Sequence, residues 1–340
     1  MPFRPARVAT QVAASLLVAA ALAGCGATGG GDELVIYSGR TKNLVDPLLQ
    51  RFSEETGVDI AVRYADTAEL ALLIEQEGDR PVADVFLSQS PGALGYLAGE
   101  ERLAPLSADV LEVVDERFES SESVWVGISG RVRTLVYNTD LVEPADLPAS
   151  VFDLTEPRFE GQVGVAPTNG SFQDFVTAMR DAVGDEETTA WLEGLVANDS
   201  PTFANNTAIV QAVARGEVPF GLVNHYYNER QLAEDPGSTT ANHFFEDDLG
   251  SIVLVTGVGV VAGSEETEDA ERLVSFLLSE ESQRFFSEET YEYPLAAGVE
   301  PFHDLVPLGE LDVPTIDLNE LGGGLQRTQE LIESSGLERS

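Results

Sequence analysis

The stretch Val218-Pro219-Phe220-Gly221-Leu222-Val223-Asn224-His225-Tyr226-Tyr227-Asn228-Glu229-Arg230 has the pattern of a short strand that runs directly into a helix. The apolar run at its start is typical of a buried strand. Asn224 is a residue type that starts helices well, and the helix is predicted to continue through Leu232. Tyr226 and Tyr227 then fall in the first helical turn, about 100° apart around the helix axis. In open α/β sheets, ligands bind at such strand ends, so the stretch predicts an α/β fold with both tyrosines beside a crevice.

The tyrosine pair has two interpretations. A phenol titrates near pH 10, so keeping one ionised at pH 7 costs about 4 kcal/mol. A bound trivalent cation more than offsets that cost, because metals deprotonate their ligands. The alternative is an aromatic pair half-buried under a helix. The dipeptide alone does not choose between the two.

Strands and helices alternate through the first part of the chain. The polar loops that follow two of the strands, at 38–41 and 88–90, lie where such sheets keep ligands. The alternation predicts a parallel sheet covered by helices. The predicted strands are 34–37, 59–64 and 84–87, and the helices between and after them end at Gly57, span 68–76 and begin at Gly92.

A second alternating series follows two extended segments at 123–127 and 132–137. Two α/β units joined by extended segments predict two lobes with a cleft between them, and such a molecule suits capture of a solute by closure. The second series comprises a strand at 162–166, helices at 172–183 and 186–197, a third helix, and the strand before Asn224. It is followed by a β-rich stretch at 251–262, helices at 266–278 and 280–287, and an amphipathic segment at 318–337 that is predicted to pack across the back.

The charge of the chain limits its partners. The formal net charge is −40, and Lys42 is the only lysine among 19 basic residues. So acidic a surface repels nucleic acid and anionic lipid, which argues against both as binding partners. Most of the charge is interpreted as a solvated coat that maintains solubility.

The N-terminus has the features of an export signal. Arg4 and Arg7 precede an apolar run at 12–24 that is too short to predict a membrane span. Leu22-Ala23-Gly24-Cys25 resembles the bacterial lipobox, whose cysteine is lipidated. The prediction is therefore a signal peptide at 1–24, then lipidated Cys25 and a glycine-rich tether through residue 32. Cys25 is the only cysteine, so disulfides within the chain are excluded.

Several motifs, in this order and spacing, resemble one known family over nearly the whole mature chain. They are Val35-Ile-Tyr-Ser-Gly-Arg40, Glu77-Gly-Asp-Arg80 leading to Ala83-Asp-Val-Phe86, Ser129-Gly-Arg-Val-Arg133, Val165-Ala-Pro-Thr-Asn-Gly-Ser-Phe172, Asn206-Thr207 with Gln211-Ala-Val213, Asn224-His-Tyr-Tyr227, and Glu292-Tyr-Pro-Leu295. The chain resembles the bacterial periplasmic ferric-ion-binding proteins, the substrate-binding components of iron(III) ABC transporters.

The resemblance implies a type II periplasmic-binding fold. Each of its two lobes is a mixed sheet flanked by helices, and two crossing strands join the lobes. The N-lobe is assigned to 33–133 plus about 256–306. The C-lobe is assigned to 134–255 plus about 307–340.

The resemblance also implies a ligand set. Tyr226 and Tyr227 correspond to the paired phenolate ligands of Fe(III), a hard ion that prefers oxygen donors. Where the best-known members carry a histidine and a glutamate ligand, this chain has Thr41 and Gln89, so a synergistic anion, carbonate or phosphate, is expected to complete the shell. The anion-binding or supporting residues are assigned as Arg40, Gln89, Arg131, Asn169, Gly170, Ser171, Asn206 and Asn224.

Some assignments stay open at this stage. Arg131 either reaches the cleft or pairs with a carboxylate in the crossing strands, and Gln89 either hydrogen-bonds the anion or a metal-bound water or is an ordinary loop residue. Some branches of the family carry a third tyrosine where this chain has Phe172, and Tyr64 is the one available replacement. Tyr37 is predicted to lie in the core, and none of the histidines is predicted to be a ligand.

Three functions remain to be compared. The first is a monomeric lipoprotein, outside the cell membrane and attached to it by the lipid alone, that captures Fe(III) with an anion and delivers it to an ABC permease. The second keeps the fold but binds an oxyanion, a phosphonate or a small organic acid without iron. The third is an exported enzyme with Tyr226 as acid or base, which requires a perturbed partner that the sequence does not reveal. The sequence has no nucleophile elbow, HExxH motif or Walker loop, and we predict that the protein is not an enzyme.

Overall fold

A computed structural model describes residues 33–302, 305–319, 321 and 324–339, with the side chain of the last omitted. The predicted signal peptide, Cys25 and the tether lie outside the described residues. The strands are β1 (Leu34–Ser38), β2 (Ile60–Tyr64), β3 (Val85–Ser88), β4 (Val126–Asn138), β5 (Val163–Gly164), β6 (Phe220–Asn224), β7 (Thr240–His243), β8 (Val253–Val260) and β9 (Tyr293–Pro294). The helices are α1 (Lys42–Thr56), α2 (Thr67–Glu77), α3 (Pro91–Gly99), α4 (Ala108–Leu111), α5 (Gly170–Ala197), α6 (Asn206–Ala214), α7 (His225–Glu234), α8 (Thr267–Leu277), α9 (Glu280–Glu288) and α10 (Leu325–Ser335).

The first α/β unit forms as its alternation predicts. β1 pairs in parallel with β2 on one side and with β3 on the other. All four residues of β3 are buried, as expected for a strand covered by helices on both faces. α1 turns its apolar stripe inward and ends at Gly57, whose left-handed φ of 74° suits glycine. The carboxyl ends of β1 and β3 therefore lie side by side and carry the two polar loops to one edge of the sheet.

The sheet order is β2-β1-β3-β8-β4-β6-β5, with β7 and β9 also paired to β4. β3 pairs with β8, and β8 with β4, in antiparallel fashion. β4 pairs with β8 as far as Val132 and with β6 from Arg133 onward. One strand thus belongs to both parts of the sheet and passes the tyrosine-bearing junction.

The two extended segments predicted at 123–127 and 132–137 are wrong as separate elements. The structure has one 13-residue strand, β4, with a register shift between Gly127 and Ser129. The glycines there suggest a break, but a Cβ at Gly127 or at Gly130 would contact Leu295 at about 3.0 Å. They allow close packing within a continuous strand rather than a turn.

The two predicted helices at 172–183 and 186–197 are confirmed as the two segments of α5, which is broken by Gly184 at φ 86° and ψ 165°. The strand predicted before Asn224 is β6, which includes Asn224 as its last residue. α10 packs against α5, where the hydroxyls of Thr177 and Thr328 are 2.7 Å apart.

Within the described residues, no helix combines the length and the apolar character needed to cross a bilayer.

Candidate metal centre

The tyrosine pair lies at the junction of β6 and α7. Asn224 keeps an extended backbone (φ −88°, ψ 143°) and α7 begins at the next residue. The side chain of Asn224 makes no capping bond, and its Oδ1 instead accepts a hydrogen bond from Arg133 Nη1 at 3.1 Å. The rings of Tyr226 and Tyr227 stack with centroids 4.2 Å apart and an interplanar angle of 28°. The pair is therefore adjacent in space as well as in sequence.

Tyr226 is buried, and its hydroxyl has no hydrogen-bond partner among the described residues. Burial raises its pKa well above 10, and the negative charges of Tyr227 and Glu292 raise it further, while Arg40 and Arg131 lower it. The phenol therefore keeps its proton at neutral pH when no cation is bound. A cation that replaces the proton removes both the desolvation cost and the unsatisfied hydroxyl.

His225 packs against Tyr226 and is held in place by hydrogen bonds to the backbone. Its Nδ1 accepts a hydrogen bond from the backbone N–H of Val132 at 3.1 Å, and its Nε2 lies 2.9 Å from the carbonyl of Tyr291. Burial lowers its pKa to about 4, so the ring is neutral and Nε2 donates to the carbonyl. Both ring nitrogens are thus engaged with backbone, and the ring lies edge-on to Tyr226 with centroids 5.9 Å apart.

Arg40 is fully buried, and its Nη2 donates to Glu292 Oε2 at 2.6 Å. The same carboxylate oxygen accepts hydrogen bonds from Ser129 Oγ at 3.3 Å and Thr290 Oγ1 at 3.1 Å. The other oxygen, Glu292 Oε1, has no partner in the described chain. Glu292 was not among the predicted site residues, although the sequence motif that contains it was noted.

Arg131 has partners on three different elements. Its Nη1 donates to Thr256 Oγ1 at 3.2 Å, and its Nη2 donates to the carbonyl of Gln89. Its Nη2 also lies 3.7 Å from Asp174 Oδ2. Arg131 therefore both reaches the loop after β3 and pairs with a carboxylate, but that carboxylate lies on α5 rather than on a crossing strand.

Asp174 joins that loop to α5. Its Oδ1 accepts a hydrogen bond from Ser90 Oγ at 2.5 Å. Burial raises the pKa of Asp174 to about 6, against the lowering influence of Arg131 and of the Ser90 hydrogen bond. Neither Ser90 nor Asp174 was predicted, because residues 84 positions apart give no local signal of contact.

Arg133 is the third buried arginine. Its Nη1 donates to Asn224 Oδ1, and its guanidinium carbon lies 5.4 Å from the centroid of the Phe175 ring. Burial lowers its pKa to about 9, the charge of Arg131 lowers it too, and Tyr227 and Tyr226 raise it. Arg133 stands two positions after Arg131 on the same strand, so alternation along β4 is the signal that could have found it.

Asn169, Ser171 and Asn206 form one group at the start of α5. Asn169 Oδ1 caps the helix by accepting from the Ser171 N–H at 3.2 Å, and it accepts from Ser171 Oγ at 2.6 Å. Asn206 Nδ2 donates to Asn169 Oδ1 at 3.3 Å and to Ser171 Oγ at 3.2 Å. Asn206 Oδ1 stays without a partner among the described residues. Three predicted anion residues are therefore brought together, with Gly170 between two of them.

A cavity of about 330 Å³ lies between the loop that follows β3 and the start of α5. Its lining combines the predicted residues Gln89, Asn169, Gly170 and Ser171 with Ser90 and Asp174. Tyr226, Tyr227 and the buried arginines do not line it. Asp174 connects the loop after β3 and strand β4 to α5 through its contacts with Ser90 and Arg131. Tyr226 is buried in this structure, whereas Tyr227 is partly exposed.

The remaining tyrosines have other partners. Tyr64 donates its hydroxyl to Asp46 Oδ1 at 2.8 Å, which raises its pKa together with burial. Tyr37 is buried in the core as predicted and donates its hydroxyl to Glu77. The predicted use of Tyr64 in place of a third tyrosine therefore has no geometric support.

Several buried donors at the residues described above have no partner among the described residues. They are Arg40 Nε and Nη1, Arg131 Nε, Arg133 Nε and Nη2, Asn224 Nδ2 and Tyr226 OH, and Glu292 Oε1 and Asn206 Oδ1 are unpartnered acceptors in the same group. The described residues contain no group of three or more His, Cys, Asp or Glu residues arranged to hold a metal. The donor set fits a centre in which phenolate oxygens and a bound anion, rather than carboxylates and imidazoles, surround a hard cation.

Comparisons with known proteins show the family to which the chain belongs. A family model described as bacterial extracellular solute-binding protein matches residues 80–307. The chain is 30% identical over 308 residues to the Fe(3+)-binding periplasmic protein of Serratia marcescens, and the match covers 89% of this chain and 90% of that protein. The crystal structure of iron-bound HitA from Pseudomonas aeruginosa matches with a TM-score of 0.84 and 32% identity, over 89% of this chain and 99% of that one.

A more distant relative has a different ligand in its name. It is a periplasmic protein of Salmonella typhi named for 2-aminoethylphosphonate binding, 25% identical over 257 residues, which cover 74% of this chain and 73% of that protein.

Proposed function

Because the chain belongs to the bacterial periplasmic ferric-ion-binding proteins, within the extracellular solute-binding family, we propose that it captures Fe(III) through the phenolates of Tyr226 and Tyr227 together with a bound anion. The fold is the predicted type II periplasmic-binding architecture. The family consists of solute-binding transport proteins rather than enzymes.

The observation that carries the proposal is the stacked tyrosine pair with a buried, unpartnered hydroxyl. A buried polar group without a partner costs roughly 1–3 kcal/mol, so such a group calls for an explanation. Binding of Fe(III) supplies one, since the ion takes the place of the phenol protons and pairs with both oxygens. The metal-free protein holds Tyr226 protonated, so capture is expected to release protons.

Charge balance supports a bound anion. Two phenolates leave a trivalent ion with a net charge of +1. Arg40 and Arg131 are paired with Glu292 and Asp174, whereas Arg133 adds a further positive charge. Carbonate or phosphate, held by guanidinium groups and by the polar start of α5, would offset that excess.

The role in transport follows from the family and the N-terminal sequence. The protein acts outside the cytoplasm, like its periplasmic relatives. We infer that Cys25 carries a lipid that holds the protein at the outer face of the cell membrane, that the two lobes close over the iron, and that an ABC permease accepts it.

A visible-absorption titration tests the proposal. The domain without its signal peptide, titrated with chelated Fe(III) in bicarbonate, is expected to develop the charge-transfer colour of iron–phenolate bonds. Tyr226→Phe and Tyr227→Phe should each weaken the colour and the binding, and the double variant should abolish both. Tyr64→Phe is the matched control and should leave both unchanged. A coloured double variant would rule out this pair as the ligands.

A second candidate is an oxyanion or phosphonate bound without iron. The unpartnered guanidinium donors favour an anionic ligand, and the Salmonella relative is named for a phosphonate. Calorimetry of the metal-free protein with phosphate, sulfate and 2-aminoethylphosphonate separates the two functions. Micromolar binding of one of these anions without iron, combined with no colour in the iron titration, would favour the second candidate.

A further inference from the structure

The three buried arginines differ in which part of the guanidinium is already occupied. Arg40 uses Nη2 for Glu292, which leaves Nε and Nη1 without partners in the described chain. Arg131 uses Nη1 for Thr256 and Nη2 for Gln89, which leaves Nε alone. In both Arg40 and Arg131, Nη2 is already bonded within the protein, so it cannot bind an anion together with the unpartnered Nε.

Arg133 has the opposite arrangement. Nη1 is taken by Asn224, and the two unpartnered atoms are Nε and Nη2. These two N–H groups point in parallel from one edge of the guanidinium and match two oxygens of one anion.

Two other arginines of this chain use the same Nε–Nη2 edge to bind both oxygens of a carboxylate. Arg117 donates from Nε and Nη2 to the two oxygens of Asp115, at 2.9 and 3.2 Å. Arg215 does the same with Glu217, at 2.6 and 3.2 Å. Both of those pairs are exposed, whereas Arg133 is buried and forms no ion pair with any residue that the structure describes.

Burial of an unpaired guanidinium is costly, and the cost disappears when a counter-charge binds. The group is also held in one orientation, by Asn224 on one side and the ring of Phe175 on the other. Arg133 pairs with Asn224 across the β4–β6 ladder, and Asn224 directly precedes the helix that carries Tyr226 and Tyr227, so Arg133 lies beside the junction that holds the proposed iron ligands.

We infer that Arg133 is the residue that grips the co-bound anion, taking two of its oxygen atoms on Nε and Nη2, while Arg40 and Arg131 serve mainly to hold Glu292 and Asp174. The ligand class is a small oxyanion with two oxygens on one atom, such as carbonate, phosphate or a carboxylate. The inference rests on the proposed iron-binding function and adds the residue that selects the anion.

The test measures how strongly iron binding depends on the anion. Wild-type protein, Arg133→Gln and Arg133→Lys are titrated with bicarbonate, phosphate and citrate at a fixed level of Fe(III), and the phenolate–iron colour is followed. We expect the anion concentration at half-maximal colour to rise about tenfold or more in Arg133→Gln. Arg133→Lys keeps the charge but loses the two-point grip, and should fall between that variant and wild type.

Arg180→Gln is the matched control. Arg180 is a largely buried arginine on α5 that bonds to Asp185 and to the carbonyl of Gly324, with no contact to the site. It should retain the wild-type anion dependence. If Arg133→Gln does not fold, as judged by circular dichroism, Arg133→Lys decides the question.

Three results would overturn the inference or its premise, and they differ from one another. Wild-type anion dependence in both Arg133 variants would remove Arg133 from the anion site. Loss of colour that a saturating anion concentration does not restore would mean that Arg133 acts on a tyrosine ligand rather than on the anion. A wild-type protein that never becomes coloured would contradict the proposed function itself.

Discussion

Around the tyrosine pair, burial shifts the pKa values of three side chains toward their neutral forms, even where a counter-charge is near, as Arg131 is to Asp174. It raises the pKa of Tyr226 well above 10, raises that of Asp174 to about 6, and lowers that of His225 to about 4. The enclosed site thus disfavours isolated charge before iron arrives.

Asp174 offers a test of this burial in the metal-free protein. Its folded pKa of about 6 lies above the usual value of an aspartate, so the folded state binds the proton more tightly than the unfolded state. Stability is therefore lost as pH rises through the interval from about 4 to 6. Between pH 4.5 and 7.5, the free energy of unfolding of wild type should fall by roughly 2 kcal/mol more than that of Asp174→Asn.

Urea unfolding of both proteins at the two pH values measures this difference. Asparagine retains an oxygen that can accept from Ser90, so the variant removes the ionisation but not the hydrogen bond. Contributions from other carboxylates cancel in the comparison. Parallel pH profiles for the two proteins would mean that Asp174 does not resist ionisation in the fold.

The sequence identifies residues of the site when the signal is local. The tyrosine pair, Asn224 and the Asn169–Ser171 group all lie at strand ends or helix starts, which local patterns reveal. The Arg40–Glu292 pair joins residues 252 positions apart, and no local pattern predicts such a contact. The sequence motif around Arg131 points to β4, but only the three-dimensional structure distinguishes the free edge of Arg133 from that of its neighbours.

At the scale of elements, periodicity predicts most helices and strands, and the main error falls at glycines within one strand. Gly127 and Gly130 suggest a break where β4 is continuous, because they serve close packing. Gly184 suggests two helices, and the structure places a single non-helical residue between them. The same residue type thus signals a tight contact in one element and a kink in another, and sequence alone does not distinguish these uses.

The backbone conformation of Gly184 predicts that a side chain at this position destabilises the protein. Its φ of 86° with ψ of 165° lies in a region that is essentially restricted to glycine, although a Cβ there would meet no atom within 4 Å. Gly184→Ala should therefore lower the free energy of unfolding by about 1–3 kcal/mol, through backbone strain alone. Urea denaturation of the metal-free protein measures the loss.

Gly99→Ala is the control for that substitution. Gly99 ends α3, has no positive φ, and would also place its Cβ in open space. Alanine should be neutral there or should stabilise by up to about 1 kcal/mol. Equal stability of Gly184→Ala and wild type would mean that the kink relaxes at no cost.

For the whole molecule, the dominant quantity is the net charge of −40. Repulsion among so many carboxylates destabilises the compact state, and dissolved salt screens it. The ion pairs at the surface involve arginine in all but one case among the described residues, that of Lys42 with Asp46. These pairs are too exposed to offset the repulsion.

We therefore expect thermal stability to rise with salt. The melting temperature of the metal-free protein at pH 7.5 should increase by about 5 °C or more between 0.05 M and 1 M KCl. At pH 4.5, where many carboxylates are protonated, the increase should be much smaller. A salt effect of the same size at both pH values would point to a cause other than charge repulsion.

The division into lobes remains a prediction at this scale. β4 changes partners between Val132 and Arg133, close to the boundary assigned at residue 133. The contacts of Asp174 with Ser90 and with Arg131 join residues of different assigned lobes, and they are among those that an opening motion would have to break.

Resonance Raman spectroscopy of the iron-loaded protein, excited within its visible absorption band, tests the central claim most directly. If the phenolates of Tyr226 and Tyr227 bind Fe(III), the spectrum will contain strongly enhanced tyrosinate ring vibrations, and these will be absent from the Tyr226→Phe, Tyr227→Phe double variant. An iron-loaded wild-type protein without those vibrations would contradict the account, because the metal would then be bound by other groups.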